Sequence, residues 1–173
     1  MNNRVLQTIS LFLCLFLFTL NAHSASTIAI VDADMIVQKS SKGKALFDEI
    51  RRFTEGKKSE VEAKVKAFQD KQKALQARAA SMTEAGLQDA RHELEGMQLD
   101  IKRFREDAER EQQSKLNQGL DTIRKDLAPL IRQVALENGY DAVFNYGPQS
   151  NLVFFSSSID ITDLVVRKYD QMQ

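Results

Sequence analysis

Apolar or small residues at Leu87, Ala90, Leu94, Met97, Ile101, Phe104 and Ala108 follow one another in alternating steps of three and four, the spacing of a coiled-coil seam. Beyond Ala108 the steps lengthen to four through Gln112, Leu116 and Leu120, and heptads resume at Ile123, Leu127, Leu130 and Val134. An earlier seam mirrors this one: Leu46, Ile50, Phe53, Lys57, Val61, Val65, Phe68, Gln72, Leu75, Ala79 and Met82, with consecutive steps of four between Phe53 and Val65. Folding the chain back at about Ala85 sets Met82 against Leu87, Phe68 against Ile101, Val65 against Phe104 and Val61 against Ala108, with polar Lys57 opposite polar Gln112. The two irregular stretches then face each other. That coincidence predicts an antiparallel helical hairpin whose supercoil unwinds locally at a stutter. The 40 residues from Gly43 to Met82 make it an arm of roughly 60 Å at 1.5 Å per residue.

The pattern changes on both sides of the arm. Thr27 to Asp32 is a short run, apolar on both faces, that predicts a buried strand. Asn138-Gly139 is a helix stop. Two more strands are expected at Tyr140 to Tyr146 and Asn151 to Ser156, joined by a turn at Gly147-Pro148-Gln149-Ser150. A last helix is expected from about Thr162, with Asp160 as its N-cap. The predicted fold class is therefore α+β: a small β-rich body of residues 26–38 and 139–173, with a helical hairpin of residues 39–138, its tip near 82–87, inserted between the first and second strands. A body of about 48 residues is marginal as a core, and its strands would leave open edges. Association of bodies is expected to cover them, through Ile28, Ile30, Val143, Phe144, Val153, Phe154, Phe155 and Ile159.

The first 25 residues follow a different logic. Arg4 precedes an apolar run from Leu11 to Phe18, interrupted only by Cys14, and Ala22-His23-Ser24 offers a small-residue cleavage site, so residues 1–25 read as a secretory signal peptide. The run is shorter than the roughly 20 residues that span a bilayer. Cleavage would remove the chain's one cysteine, leaving a protein in an oxidising compartment without thiol chemistry. Acidic and basic residues balance at 24 each, which gives no whole-chain reason to expect a nucleic-acid partner.

Candidate chemistry is sparse. His92 lies off the seam among charged neighbours and reads as a solvated surface residue. No HExxH, CxxC or GxSxG pattern occurs, and Gly43-Lys44 lacks the earlier glycine and the following Ser or Thr of a phosphate loop. Asp32 with Asp34, and Asp160 with Asp163, sit where carboxylates cap backbone amides. No catalytic residue, cofactor or metal is expected, and the chain is not read as an enzyme. From Lys39 to Asp126 there are 20 basic and 17 acidic residues, a solvated arm with a modest positive excess. Phe47 and Leu99 lie off the register, while Met82 and Leu87 flank the tip, and together they are the expected sites of weak contact with unfolded chains. Gly56, inside the slipped stretch, is the expected hinge.

Four segments carry a resemblance to a known family: Ile28-Ala29-Ile30-Val31 through Ser40-Ser41-Lys42-Gly43; Leu127-Ala128-Pro129-Leu130-Ile131; Glu137-Asn138-Gly139-Tyr140-Asp141; and Ser158-Ile159-Asp160-Ile161-Thr162-Asp163. In these the chain resembles the Skp/OmpH family of periplasmic chaperones, over essentially its whole length after the signal segment. The resemblance implies a homotrimer in the periplasm whose bodies form a central β-structure. Three arms would enclose unfolded outer-membrane proteins without ATP, with at most peripheral membrane contact. Familiar members are clearly basic, whereas this chain has a pI near 6.7, which shifts the expected grip from electrostatic capture towards dispersed apolar contacts. The competing reading is an envelope scaffold or adaptor that docks one specific partner through its hairpin.

Overall fold

A computed structural model describes residues 26–147 and 150–172. The expected signal peptide therefore lies outside the described residues, as do Pro148 and Gln149 of the expected turn. Strand β1 (Ile28–Val31) is followed by a short helix α1 (Ala33–Lys39) and the first long helix α2 (Ser41–Arg78). A 3-10 turn at Ala79–Ser81 leads to the second long helix α3 (Glu84–Asn138), then strand β2 (Ala142–Asn145), a 3-10 turn at Ser157–Ile159 and a final helix α4 (Thr162–Gln171). β1 and β2 pair in parallel, with Ile28 opposite Ala142 and Val31 opposite Asn145. Parallel neighbours need a long crossover, and here the entire α2–α3 hairpin supplies it.

The strand expected at Asn151 to Ser156 does not form. One edge of β1 is taken by β2; on its other side Ile30 bridges to Asp160, and the Ile161 amide donates to the Ile30 carbonyl at 3.0 Å. No described segment pairs with the outer edge of β2, and the would-be third strand has no face to bury against within the chain: Val153 is 99% exposed and Phe154 84%. The expected second strand is also trimmed, from Tyr140–Tyr146 to Ala142–Asn145, because Gly139 ends α3 in the left-handed region (φ 69°) and the chain must turn before it can pair.

The core explains how so small a body holds together. Ala29 and Val31 of β1, Ile36 and Val37 of α1, and Ile161, Val165 and Tyr169 at the far end of the chain pack with Ile123, Leu127, Leu130 and Val134 of α3. The last three turns of α3 thus present their heptad face to the body rather than only to α2, enlarging a core that the flanking segments alone would leave marginal. The spacing Ile161, Val165, Tyr169 is the inward stripe of α4.

The joint between α1 and α2 fixes the direction of the arm. Asp32 caps α1 by accepting from the Met35 amide at 2.8 Å, and buried Ser40 ends α1 and caps α2, its Oγ accepting from the Gly43 amide at 3.2 Å. Gly43 is compelled by this bend, since a Cβ there would stand 1.6 Å from the Val37 carbonyl oxygen.

Candidate functional site

Two surfaces stand outside the body core: the arm beyond its root, and the exposed apolar rim of the body. Along the arm nearly every residue of the two predicted seams is less exposed than its neighbours, and Ile50 and Ile101 are buried. Gln72 is the exception. It is exposed, and half-buried Lys71 stands in its turn instead, paired with Glu93 across the hairpin. The reversal comes at Ala79 to Thr83, earlier than Ala85, with Thr83 capping α3 by accepting from the Gly86 amide at 3.2 Å.

At the stutter the seam is polar for a stated reason. Four-residue steps turn the apolar stripe away from the partner helix, opening room that short apolar side chains would leave empty. Lys57 fills it: its ammonium lies 5.3 Å from the Phe53 ring centre and 5.2 Å from that of Phe104, and 3.5 Å from a Glu111 oxygen. Gln112 does not meet Lys57 directly; its Nε2 donates to Thr54 Oγ1 at 2.8 Å, and Thr54 donates in turn to the Ile50 carbonyl at 2.8 Å. A cavity of about 170 Å³ remains beside these groups, lined by Phe53, Val61, Arg105 and Ala108 among others.

Where arm meets body, three elements converge on one carboxylate. Lys42 of α2 donates to Asp126 Oδ2 of α3 at 3.0 Å, and the hydroxyl of fully buried Tyr169 of α4 donates to the same oxygen at 3.1 Å. The Lys42 ammonium also lies 4.9 Å from the Tyr169 ring centre. The hydrogen bond from Lys42 is the main cause that holds the Asp126 carboxyl below its ordinary value, while burial and then the hydrogen bond to the Asp126 carboxylate push the Tyr169 phenol well above its own. Farther up, Leu46 packs so closely on Gly119 that a Cβ there would stand 2.3 Å from a Leu46 methyl.

A second carboxylate organises the body. Asp160 accepts from the Tyr146 hydroxyl at 2.9 Å and from the Thr162 amide at 2.9 Å, so it caps α4 from one position farther out than an ordinary N-cap, which here is Ile161. Burial raises the Asp160 carboxyl, but the hydrogen bonds from Thr162 and Tyr146 outweigh it and hold the group below its ordinary value. The Thr162 hydroxyl accepts from the Asp32 amide at 2.9 Å, which ties β1 to α4. Asp163 pairs with Lys39 at 2.9 Å. His92 is exposed, 3.4 Å from Glu95. Among the described residues no cluster of His, Cys, Asp and Glu could hold a metal ion, and no helix is long and apolar enough to cross a membrane.

The residues singled out from the sequence fall into separate places. Phe47 and Leu99 are 41% and 46% exposed on the arm, and Met82 and Leu87 are half-buried at the reversal. Gly56 is exposed within the unbroken α2. On the body, Ile28 and Phe144 are exposed, as are Val153 and Phe154; Val143, Phe155 and Ile159 are half-buried, and Ile30 is already buried in the single chain. Phe155 packs its ring 4.7 Å from that of Tyr146. Sequence reasoning missed the Lys42, Asp126 and Tyr169 junction. The inward stripe of the last helix could have pointed to Tyr169, but its two partners lie 43 and 127 positions away and nothing local marks them.

Comparison with known proteins places these features in company. The family profile described as outer membrane protein (OmpH-like) matches residues 27–169. The crystal structure of a candidate outer membrane chaperone (OmpH-like) from Caulobacter crescentus CB15 superposes with a TM-score of 0.80 at 19% identity, covering 87% of each chain. No curated protein matches this chain.

Proposed function

Because the chain belongs to the OmpH-like outer membrane protein family, we propose that it is a holding chaperone of the periplasm that binds unfolded outer-membrane proteins without ATP and keeps them from aggregating. The observation that carries this reading is the arm itself. Helices of 38 and 55 residues project a thin, highly charged hairpin with apolar side chains scattered off its seam. A long surface of weak, dispersed contacts suits many partners that share no structure. The Caulobacter crescentus structure of the same fold is described as that of a candidate outer membrane chaperone.

Self-association completes the proposal. Ile28, Phe144, Leu152, Val153 and Phe154 form an exposed apolar rim on the body, and burying it between copies, as three chains with their arms side by side, gives the arms a common space to enclose. Residues 1–25, as a signal peptide, would deliver the chain to that compartment.

The test is suppression of aggregation. Several unrelated outer-membrane proteins unfolded in urea are diluted with and without the protein, and light scattering should fall sharply at one trimer per client. No protection at that ratio sinks the holding role. For assembly, sedimentation should show a trimer that dissociates when Val153 and Phe154 are both replaced by Asp; a wild-type monomer at micromolar concentration would refute it.

A further inference from the structure

The stutter leaves the arm with more than a polar seam. Its cavity of about 170 Å³ is close to the roughly 150 Å³ in which a protein interior takes up one benzene ring. Half-buried Phe53, Val61 and Ala108 give it an apolar floor. The Thr54 hydroxyl on its wall is engaged within the chain, accepting from Gln112 and donating to the Ile50 carbonyl. Exposed Lys58, Arg105 and Glu109 stand at the mouth.

The charges around this cavity decide what it can take. Lys57 is held by Glu111 at 3.5 Å and by the Phe53 and Phe104 rings, and Lys58 reaches Glu62 at 3.9 Å. Arg105 and Glu109 have no ion-pair partner among the described residues, and the charges nearest them along α3 are taken, Glu106 by Lys102 and Arg110 by Asp107. One unpaired cation beside one unpaired anion gives neither an acidic nor a basic side chain a net attraction. An aromatic ring gains from both, because its faces are negative and its edge positive. An aliphatic side chain of the same size gains from neither. Two further hollows of the arm, beside Leu99 and beside Met97, have no aromatic wall.

We infer that the stutter cavity is a binding pocket for one aromatic side chain of an unfolded client, with the ring against Phe53 and Ala108, its face to the Arg105 guanidinium and its edge or phenol hydroxyl toward the Glu109 carboxylate. The same pairing already runs through the arm. The Phe53 ring has the Lys57 and Lys115 ammoniums 5.3 and 5.5 Å from its centre, and the Phe104 ring has those of Lys57 and Lys64, both at 5.2 Å. A client ring extends that array by one member, and a guanidinium is the cation that stacks best on it. The pocket gives the arm one fixed foothold among otherwise dispersed contacts. This rests on the holding role proposed above.

A urea-unfolded outer-membrane β-barrel protein carrying p-azidophenylalanine at single tyrosine positions is mixed with the full-length protein and irradiated, and the adducts are mapped by mass spectrometry. Adducts concentrated on residues 53–61 and 105–112 support the pocket. They should fall several-fold in Ala108→Phe, which fills the space, and in Arg105→Gln, which removes the cation from an exposed position where folding is not at stake. A short peptide with a central phenylalanine should suppress them several-fold better than the same peptide with cyclohexylalanine. Adducts spread evenly along the arm, yields unchanged in both variants, or equal competition by the two peptides overturn the assignment and leave the holding role standing. If the unsubstituted protein does not suppress aggregation of the same client, both readings fall.

Discussion

Body and arm are built from the same helix-forming vocabulary but bury it differently. In the body, side chains from β1, α1, α3 and α4 converge, and Ala29, Ile36, Val134, Val165 and Tyr169 are wholly shielded. In the arm two helices share one narrow seam, so Val61, Val65, Phe68 and Leu75 are only half-buried. Burial stabilises in proportion to apolar area removed from water, so the body concentrates its stability in few positions while the arm spreads it thinly over many. A thin seam also keeps the arm's other faces free, which the proposed holding role requires.

The sharpest way to break this comparison is at Tyr169. Its ring is fully buried and its hydroxyl joins Asp126, so Tyr169→Ala should cost about 4 kcal/mol in guanidinium unfolding, the largest loss of any single change considered. Gly43→Ala comes next at about 3 kcal/mol, because the methyl meets a backbone carbonyl that no side-chain rotation can move aside. On the arm, Leu75→Ala should cost only about 1 kcal/mol, since the seam shields the leucine on one side alone. A loss at Leu75 equal to that at Tyr169 would mean that the arm is packed against something more than its own partner helix.

Acid gives the smallest and most diagnostic effect. Asp126 and Asp160 both titrate below their ordinary value of 3.8 in the folded chain, so they favour the folded state fully above that value, and this contribution disappears as pH falls through 3.8 and below. Unfolding midpoints followed from neutral into acid should therefore decline on that limb, and Asp126→Asn should make the decline shallower. An unchanged acid slope in that variant would show that the junction at the arm's root does not depend on the carboxylate charge.

Much of the arm was legible because a coiled-coil seam is local and periodic. The steps at Phe53 to Val65 and at Ala108 to Leu120 mark the stutter in the sequence itself, with Lys57 and Gln112 as its polar intruders. What they do was not legible. Lys57 lies between Phe53 and Phe104, and Gln112 reaches Thr54, because side chains at a stutter choose partners by reach in three dimensions rather than by matching position. The displaced reversal has a similar cause: the 3-10 turn at Ala79–Ser81 and the Thr83 cap end one helix and start the next by local hydrogen bonds that the apolar pattern does not record.

The sequence by itself determined the α+β architecture, with a long antiparallel hairpin between two short strands, since periodicity, helix stops and caps are encoded residue by residue. Only the tertiary structure decided that α3 supplies part of the body core, that Lys42, Asp126 and Tyr169 meet at the arm's root, and that Leu152-Val153-Phe154 remains unpaired rather than forming a third strand. Each of those outcomes depends on which distant surface is available to a segment. An apolar run specifies that it will be buried or paired somewhere, and the remainder of the fold specifies whether a place exists within the same chain.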